Sequence, residues 1–394
     1  MKMNRLGGVI AVGMLVAVAA GCAGSHQEAK VAAHQRWNTT RAKVLVSNGQ
    51  DAFKAGDLDG AYQSATKALS MSPEMPAALE LAARISIDRG KYVTAEEHLR
   101  EALQQDPDNA RTVYLLGVIR DRRDRFSDAL KLYERARGLD GQNPAYVLAS
   151  AEMLVKLNRA REALALVEAK LSTMDPIVGM YIAAGDLAML IDEPGRAANH
   201  YSEARYLDPD DVQIIAKAGK ASFFAQRFDQ AAALLDGLTH TADYREQAWL
   251  WSMLGQSHLG CDRPMKAREN FERLASLEPD RARAWTFVAM AAAQCGDLPG
   301  TVAAARKAVR LAPNQVDGGI LLGHALLKQD KPNEAIKVLT ETASRHPRLA
   351  VVHCLLGQSH DALGQSRRAR RCYSTALQIE PDNPIARRLL ARAG

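Results

Sequence analysis

The sequence is poor in aromatic residues and carries little net charge for its length. Phe, Trp and Tyr make up 5% of the 394 residues, and the formal net charge is +6. Few aromatic residues and much alanine favour tightly paired helices over a cavity for a cofactor. So weak a charge does not favour nucleic-acid binding, which depends on many Lys and Arg contacts to phosphate. We therefore expect no cofactor and no nucleic-acid partner.

Motifs of the common enzyme classes are also missing. The sequence has no phosphate loop, no HExxH zinc motif and no nucleophile elbow, each of which needs fixed residue types at fixed spacing. We therefore expect no catalytic residues and no enzyme activity. The nearest approach to a metal site is His353, Cys354 and His360, and we predict that the two histidines are core or partly buried residues and not metal ligands.

A period of 34 residues runs through most of the chain. Rows of 34 residues begin at positions 42, 76, 110, 144, 178 and 212 and, after a slip of two residues, at 248, 282, 316 and 350. Position 8 of every row is Gly or Ala, position 20 is Ala in every row but one, and position 32 is Pro in seven rows. A fixed period of this length indicates an array of repeated structural units.

Each row is predicted to form two helices. Small residues at positions 8 and 20 let two helix backbones approach closely, while larger apolar residues at positions 4, 7 and 24 fill the space around that contact. Glycine at position 15 of four rows can adopt the positive φ that ends a first helix; these are Gly56, Gly90, Gly296 and Gly364. Proline at position 32 then ends the second helix.

This row pattern resembles the tetratricopeptide repeat family. The resemblance covers residues 42–383 and implies an all-α fold, a right-handed superhelical solenoid of ten helix-turn-helix repeats whose first helices line a concave groove. Residues 384–394 are expected to form a C-terminal capping helix, with Ile385, Leu389 and Leu390 covering the last repeat. Apart from the ends of the chain, the repeats leave no segment for a separate catalytic domain.

Residues 1–21 have the features of a bacterial lipoprotein signal peptide. Lys2 and Arg5 precede an apolar run, and small residues follow it up to Cys22. The segment Ala19-Ala20-Gly21-Cys22 resembles a lipobox, which implies cleavage before Cys22 and lipidation of that cysteine. The alternatives are a secreted protein cleaved after Ala19 and a retained membrane anchor, although the run is shorter than the ~18–20 apolar residues that a span needs.

Residues 22–41 are predicted to be the acylated cysteine followed by a flexible polar spacer, with Trp37 available to pack on the first repeat. Two or more acyl chains would hold the protein stably on a membrane. No aspartate directly follows Cys22, and an aspartate there resembles an inner-membrane retention signal. We therefore expect a lipid-anchored protein of the cell envelope, on the periplasmic face of the outer membrane, with a secreted or periplasmic protein as the alternative.

The predicted groove changes character along the chain. If first-helix positions 5, 9, 12 and 13 face it, the early rows do not carry the Lys and Asn of the family's carboxylate clamp, because Glu80 and Arg84 stand in the second row. Apolar residues follow in the middle rows, and the predicted partner-binding residues are Leu148, Ile182, Met189, Leu190, Phe223 and Phe224. Contiguous exposed apolar surface usually marks a binding site, so we expect a protein or peptide partner there.

The sequence therefore predicts a membrane-tethered scaffold or adaptor that recruits a protein partner during cell-envelope assembly or secretion. Accessory lipoproteins of pilus and outer-membrane biogenesis have a similar layout. The alternative is a rigid spacer or oligomerisation scaffold without a peptide ligand. Phe223 and Phe224 are the sharpest local signal, because consecutive helical residues point about 100° apart and packing can readily absorb only one of them.

Overall fold

The computed structural model describes the backbone of residues 8–392 and the side chains of residues 27–392, and this part of the chain contains helices and no strands. It divides into two compact units, Met1–Pro176 and Ile177–Gly394. Consecutive helices pack against each other along each unit. The predicted all-α repeat fold is confirmed.

Unit 1 holds four helix pairs, one for each of the first four rows. Its helices are α1 (Gly8–Lys54), α2 (Leu58–Met71), α3 (Pro76–Asp88), α4 (Tyr92–Gln105), α5 (Ala110–Asp121), α6 (Phe126–Leu139), α7 (Pro144–Lys156) and α8 (Ala160–Leu171).

Unit 2 holds six further pairs, a short inserted helix and a final single helix. Its helices are α9 (Val178–Leu190), α10 (Pro194–Leu207), α11 (Val212–Phe224), α12 (Phe228–Leu238), α13 (Ala242–Arg245), α14 (Ala248–Gly260), α15 (Pro264–Leu277), α16 (Ala282–Gln294), α17 (Leu298–Leu311), α18 (Val316–Lys328), α19 (Pro332–Arg345), α20 (Ala350–Ala362), α21 (Ser366–Ile379) and α22 (Pro384–Arg392). The inserted helix α13 lies just before Glu246 and Gln247, where the period slips by two residues.

The small residues of the repeat lie where the two helices of a pair touch. All nine alanines at position 20 are fully buried, and Thr301 in the eighth row is 1% exposed. A Cβ added to Gly117 would come within 2.5 Å of the Tyr133 ring, and one added to Gly219 within 2.5 Å of Leu235. The residue at position 8 therefore packs directly against the large side chain at position 24, and a larger residue at position 8 would force the helices apart.

The turn inside every repeat depends on one backbone conformation at position 15. The four glycines predicted to have positive φ have φ values of 68–82°. The other six rows carry Asp, Asn or Gln there, also with positive φ: Asp124, Asn158, Asp192, Gln226, Asp262 and Asp330. Asp and Asn tolerate this left-handed conformation better than other side chains, which explains how rows without glycine keep the same turn.

A polar side chain at position 4 ties several repeats of unit 2 to the preceding turn. Trp251 donates its ring N–H to the carbonyl of Arg245 (2.8 Å), and Trp285 donates to the carbonyl of Pro279 (2.9 Å). The ring of His353 bonds the carbonyl of Pro347 in the same way (3.0 Å). His353 is partly buried. Among the described residues, no group of three or more His, Cys, Asp or Glu side chains is placed to hold a metal ion.

The expectation of a flexible spacer over residues 22–41 is wrong for the backbone, because these residues lie inside α1. The segment has four Ala, two Gln, two Arg, one Lys and no proline, a composition that supports an exposed helix as well as a linker. Trp37, which was available to pack on the first repeat, is 60% exposed. Among the described residues, no helix combines the length and apolarity needed to cross a membrane.

The predicted capping helix is α22, but its buried face differs from the prediction. Ala386 is fully buried, and Leu389 packs with it against Ala350, Cys354 and Ala376. Ile385 is 50% exposed, because the contact is made by residues three apart on one helix face and Ile385 points about 100° away from it.

Candidate first-helix groove in unit 2

Two neighbouring depressions lie on the surface formed by the first helices of the sixth to ninth repeats, all within unit 2. One has a volume of 450 Å³ and extends over α11, α14 and α16; the other has a volume of 620 Å³ and extends over α16 and α18. Arg283 and Phe287 line both. We call the two together the first-helix groove.

The first depression is walled by aromatic and apolar side chains from three successive repeats. Phe223 and Phe224 meet edge to face with their ring centroids 5.5 Å apart, and Phe223 also contacts Phe228 at 6.1 Å. Phe224 is 52% exposed whereas Phe223 is half-buried. Phe223 therefore packs against neighbouring aromatic rings, whereas Phe224 faces solvent. The full lining is Phe223, Phe224, Ala248, Trp249, Ser252, Met253, Gln256, Leu274, Glu278, Arg283, Ala284 and Phe287.

The ridge between the two depressions is anchored in the core. Phe287 stacks on Phe271 at a centroid distance of 4.9 Å and an interplanar angle of 22°. Phe271 is fully buried at position 24 of the seventh repeat, where a Cβ on Gly255 would overlap its ring. Phe271 cannot move without disturbing that helix pair, so the position of Phe287 is fixed as well. A preformed wall of this kind reduces the entropy lost on binding.

The second depression is lined mainly by apolar and neutral polar side chains, with one charge of each sign. It is formed by Arg283, Thr286, Phe287, Met290, Gln315, Asp317, Ile320 and Leu321. Met290 and Ile320 occupy row positions 9 and 5, two of the positions expected to face the groove. A methionine at such a site fits partners of varied shape, because its side chain is unbranched and flexible.

Two cations border the groove and rest on aromatic rings. The Nζ atom of Lys220 lies 3.8 Å from the Trp249 ring centroid, and the guanidinium carbon of Arg283 lies 5.2 Å from that of Phe287. Burial lowers the pKa of Lys220, and no carboxylate offsets this effect. Cation–π contact partly compensates for lost hydration, but a carboxylate brought by a ligand would compensate far better.

Depressions of similar volume elsewhere differ in their lining. One of 600 Å³ beside α10 is formed by Ser202, Glu203, Arg205, Tyr206 and Pro209. Its walls are mostly polar side chains of a second helix and the following turn. Volume therefore does not distinguish the first-helix groove; its run of aromatic and aliphatic side chains from successive repeats does.

The structure separates the residues predicted to bind a partner. Phe223 and Phe224 line the groove, whereas Met189 and Leu190 are not among its lining residues, although Leu190 is 59% exposed. Ile182 and Met189 are half-buried on α9, and Leu148 is half-buried on α7 in unit 1. The backbone at Cys22 lies within α1, and its side chain is outside the described residues.

Several groove residues escaped the sequence analysis. Trp249 and Arg283 stand at row position 2, and Met253, Phe287 and Leu321 at position 6, whereas only positions 5, 9, 12 and 13 were expected to face the groove. Met290 and Ile320 stand at expected positions but in later rows. Trp249 and Phe287 stand at different row positions, so a comparison of single positions between neighbouring rows would not have found them together.

The corresponding first-helix face of unit 1 is built from paired charges. Glu80 is 7% exposed, accepts a hydrogen bond from the Thr112 hydroxyl (2.7 Å) and lies 3.5 Å from the Nε atom of Arg111. Arg84 rests over the Phe53 ring at 4.4 Å. Burial, followed by the charge of Arg111, lowers the pKa of Arg84. The Glu80 carboxylate is therefore already paired with Thr112 and Arg111 within the protein.

Comparison with known proteins agrees with this repeat architecture. Two family models, both described as tetratricopeptide repeat, match the chain: one at residues 52–119, 86–131 and 326–393, the other at residues 113–176 and 252–316. Human tetratricopeptide repeat protein 7B is 23% identical over 334 residues, which cover 81% of this chain. The matched region spans 39% of the length of that relative.

Solved structures of repeat proteins also resemble the chain. The Cut9–Hcn1 hetero-tetramer of the APC/C is 15% identical, with a TM-score of 0.42, and the match covers 90% of this chain and 96% of that one. YrrB, described as a TPR protein with an unusual peptide-binding site, is 15% identical with the same TM-score, and the match covers 48% of this chain and 97% of YrrB. From its repeats and these family matches, the chain belongs to the tetratricopeptide repeat family, whose fold generally serves as a scaffold for protein–protein interaction.

Proposed function

We propose that the protein is a non-catalytic adaptor, tethered to a membrane through a lipid on Cys22, that recruits a partner protein during cell-envelope assembly or secretion. The first-helix groove carries this proposal. A preformed, apolar, aromatic-rich surface spanning four repeats is the kind of surface on which a partner segment docks.

The groove also indicates the chemistry of the partner segment. Two adjoining apolar depressions suit two apolar anchors of an amphipathic helix or an extended segment. Arg283 lies between the depressions and Lys220 lies beside Trp249. A carboxylate on the segment would pair with these cations. Their positive charge would favour such a segment over one with a neutral or basic residue at that place. The proposed ligand is therefore a protein segment with apolar anchors and at least one acidic residue.

Crosslinking in living cells tests the recruitment. A photoreactive amino acid is placed at Phe224 in one variant and at Tyr206, which is 84% exposed on a second helix, in a matched control. The proposal predicts a discrete crosslinked protein from position 224 that is absent from position 206. Equal products from both positions, or none from position 224, would contradict a groove-specific partner.

The tether is tested separately. Cys22→Ala is expected to leave the protein unprocessed or to move it to a soluble fraction, whereas the natural protein partitions into detergent and carries lipid mass on its N-terminal peptide. A natural protein without that lipid mass would end the lipoprotein proposal and leave the groove proposal standing. Cell-envelope location and pathway follow from the tether, so they fail with it.

A further inference from the structure

Helix α1 carries a narrow stripe of exposed basic and apolar side chains. Trp37 is 60% exposed and Val44 is 57% exposed, and Lys30 and Arg41 are exposed beside them. Because successive helical residues turn by about 100°, these four side chains fall within about 60° of one another. They occupy a length of about 21 Å along the helix, at 1.5 Å per residue.

The stripe points away from the core of unit 1. Ala42 and Val46 are buried and belong to the cluster that α1 forms with α2 and α3. Their side chains are turned by about 140° or more from Trp37 around the helix. Residues 33–37 are all exposed. The stripe therefore takes no part in the packing that holds the first repeat together.

The positive charge of residues 22–50 favours an anionic binding partner for the stripe. Between Cys22 and Gln50 the sequence has four cationic side chains, Lys30, Arg36, Arg41 and Lys43, and one acidic residue, Glu28. Two apolar side chains on a convex helix are too few for the core of a stable protein interface, which buries about 800 Å² on each partner. A tryptophan flanked by cations on one helix face suits the headgroup region of a lipid bilayer.

We propose that the stripe of Lys30, Trp37, Arg41 and Val44 binds the surface of an anionic membrane, so that α1 lies along the bilayer. Trp37 and Val44 enter the headgroup layer, and Lys30 and Arg41 contact lipid phosphates. This contact is distinct from the lipid tether, because it uses side chains of the folded helix and needs no acyl chain. It would fix the orientation of unit 1 on a membrane, which attachment of an acyl chain at Cys22 alone does not set.

The test uses residues 22–394 with Cys22→Ser, so that neither the apolar leader nor an acyl chain contributes. The first buried side chain among the described residues is Ala42, so this truncation removes no buried side chain of the described fold. Binding is measured by co-sedimentation and tryptophan fluorescence with vesicles of phosphatidylcholine alone and with added phosphatidylglycerol. The proposal predicts binding only to the vesicles that contain phosphatidylglycerol, with a blue shift of the emission.

Two pairs of variants separate the stripe from general positive charge. Lys30→Gln with Arg41→Gln is expected to weaken binding about 25-fold, since each cation near an anionic surface contributes about fivefold. Arg36→Gln with Lys43→Gln removes the same charge from another face, turned by about 100–120° from Trp37, and is expected to have a much smaller effect. Trp37→Ser should abolish the blue shift, whereas Tyr206→Ser should not change it.

Three results would overturn the proposal. Equal weakening in both double variants would mean attraction by net charge without a defined face. Equal binding to both kinds of vesicle, or to neither, would exclude recognition of anionic lipid. Self-association that is lost with Trp37→Ser would assign the stripe to a second copy of the chain. The proposed tether and groove are unaffected by any of these results, since the protein measured carries no acyl chain and neither a partner nor a groove variant is involved.

Discussion

The first-helix faces of the two units both place cations on aromatic rings, as Arg84 does on Phe53 in unit 1, but they differ in how their carboxylates and cations are paired. In unit 1, Glu80 is held by Thr112 and Arg111, and Lys156 lies 2.7 Å from Asp121. In unit 2, Lys217 pairs with Asp186, yet the cations at the groove, Lys220 and Arg283, rest on aromatic rings.

The difference in charge pairing has different consequences for stability and for ligand binding. A buried charge that is paired inside the protein cannot be removed without leaving its partner unsatisfied, so it stabilises the fold. A cation that lies on a ring beside an apolar depression has remaining capacity for a ligand carboxylate. The same repeat therefore presents a face of paired charges in one unit and the proposed binding face in the other.

The largest effects are expected where the units are alike. Tyr133 in unit 1 and Phe271 in unit 2 occupy position 24 against a glycine at position 8. Tyr133→Ala and Phe271→Ala should each lower the free energy of unfolding by about 3–5 kcal/mol, because each leaves a cavity between paired helices. Denaturant titration of both variants checks this, and a loss below about 1 kcal/mol in either would show that the two units do not share one packing design.

A smaller loss of stability is expected from the paired charge of unit 1. Glu80→Gln removes the negative charge next to Arg111 while keeping the shape of the side chain. Unfolding should become easier by about 1–3 kcal/mol, because a buried charge-assisted contact is lost. Glu101→Gln, at an exposed position of α4, serves as the matched control. Equal midpoints for the two variants in a denaturant titration would mean that Glu80 is not structural.

The groove cations should behave in the opposite way. Lys220→Gln and Arg283→Gln are expected to change stability by less than about 1 kcal/mol, the value of an exposed cation–π contact. Each should weaken binding of the crosslinked partner about tenfold, since a hydrogen bond to a charged group contributes about 1.5–3 kcal/mol. Isothermal titration with the purified partner measures this, with Arg306→Gln on α17 as the control. Unchanged affinity in both groove variants would contradict the proposal that the ligand carries an acidic residue.

The smallest effect concerns pH and unit 2. His258 is 5% exposed, and burial, followed by the charge of Lys266, lowers its pKa. The neutral ring is favoured in the folded state, so its contribution to stability is present above the unfolded pKa of about 6.5 and is lost as the pH falls below that value. Thermal melts between about pH 7 and pH 5 should show this loss, and His258→Leu should reduce it. Identical slopes in both proteins would contradict the assignment.

The repeat frame could be predicted from the sequence because its requirements are steric and recur. Only small residues fit at positions 8 and 20, and only glycine or a tolerant polar residue adopts positive φ at position 15. The helical course of residues 22–41 was missed because an exposed helix and a polar linker have the same composition. Ile385 was misplaced because a shift of one residue, about 100° around the helix, decides which side of a short helix is buried.

The groove was only partly predictable. Phe223 and Phe224 stand out because they are consecutive, but their neighbours Trp249 and Phe287 come from the next two repeats. Which side chains of successive first helices meet depends on the angle between repeats, and the period does not encode that angle. The prediction grouped Phe223 and Phe224 with Met189 and Leu190 of the preceding repeat, whereas the groove continues into the following repeats.

The most direct test of the central claim compares Phe224→Ala with Phe223→Ala in thermal melting and in recovery of the crosslinked partner. Phe224 is 52% exposed at the groove, so its truncation should leave the melting temperature unchanged and reduce affinity about thirtyfold, or about 2 kcal/mol, as for an interface anchor. Phe223, which packs on Phe228, should lower the melting temperature. Early melting of both variants, or full partner recovery by both, would show that these residues only pack and that the first-helix groove is not the binding site.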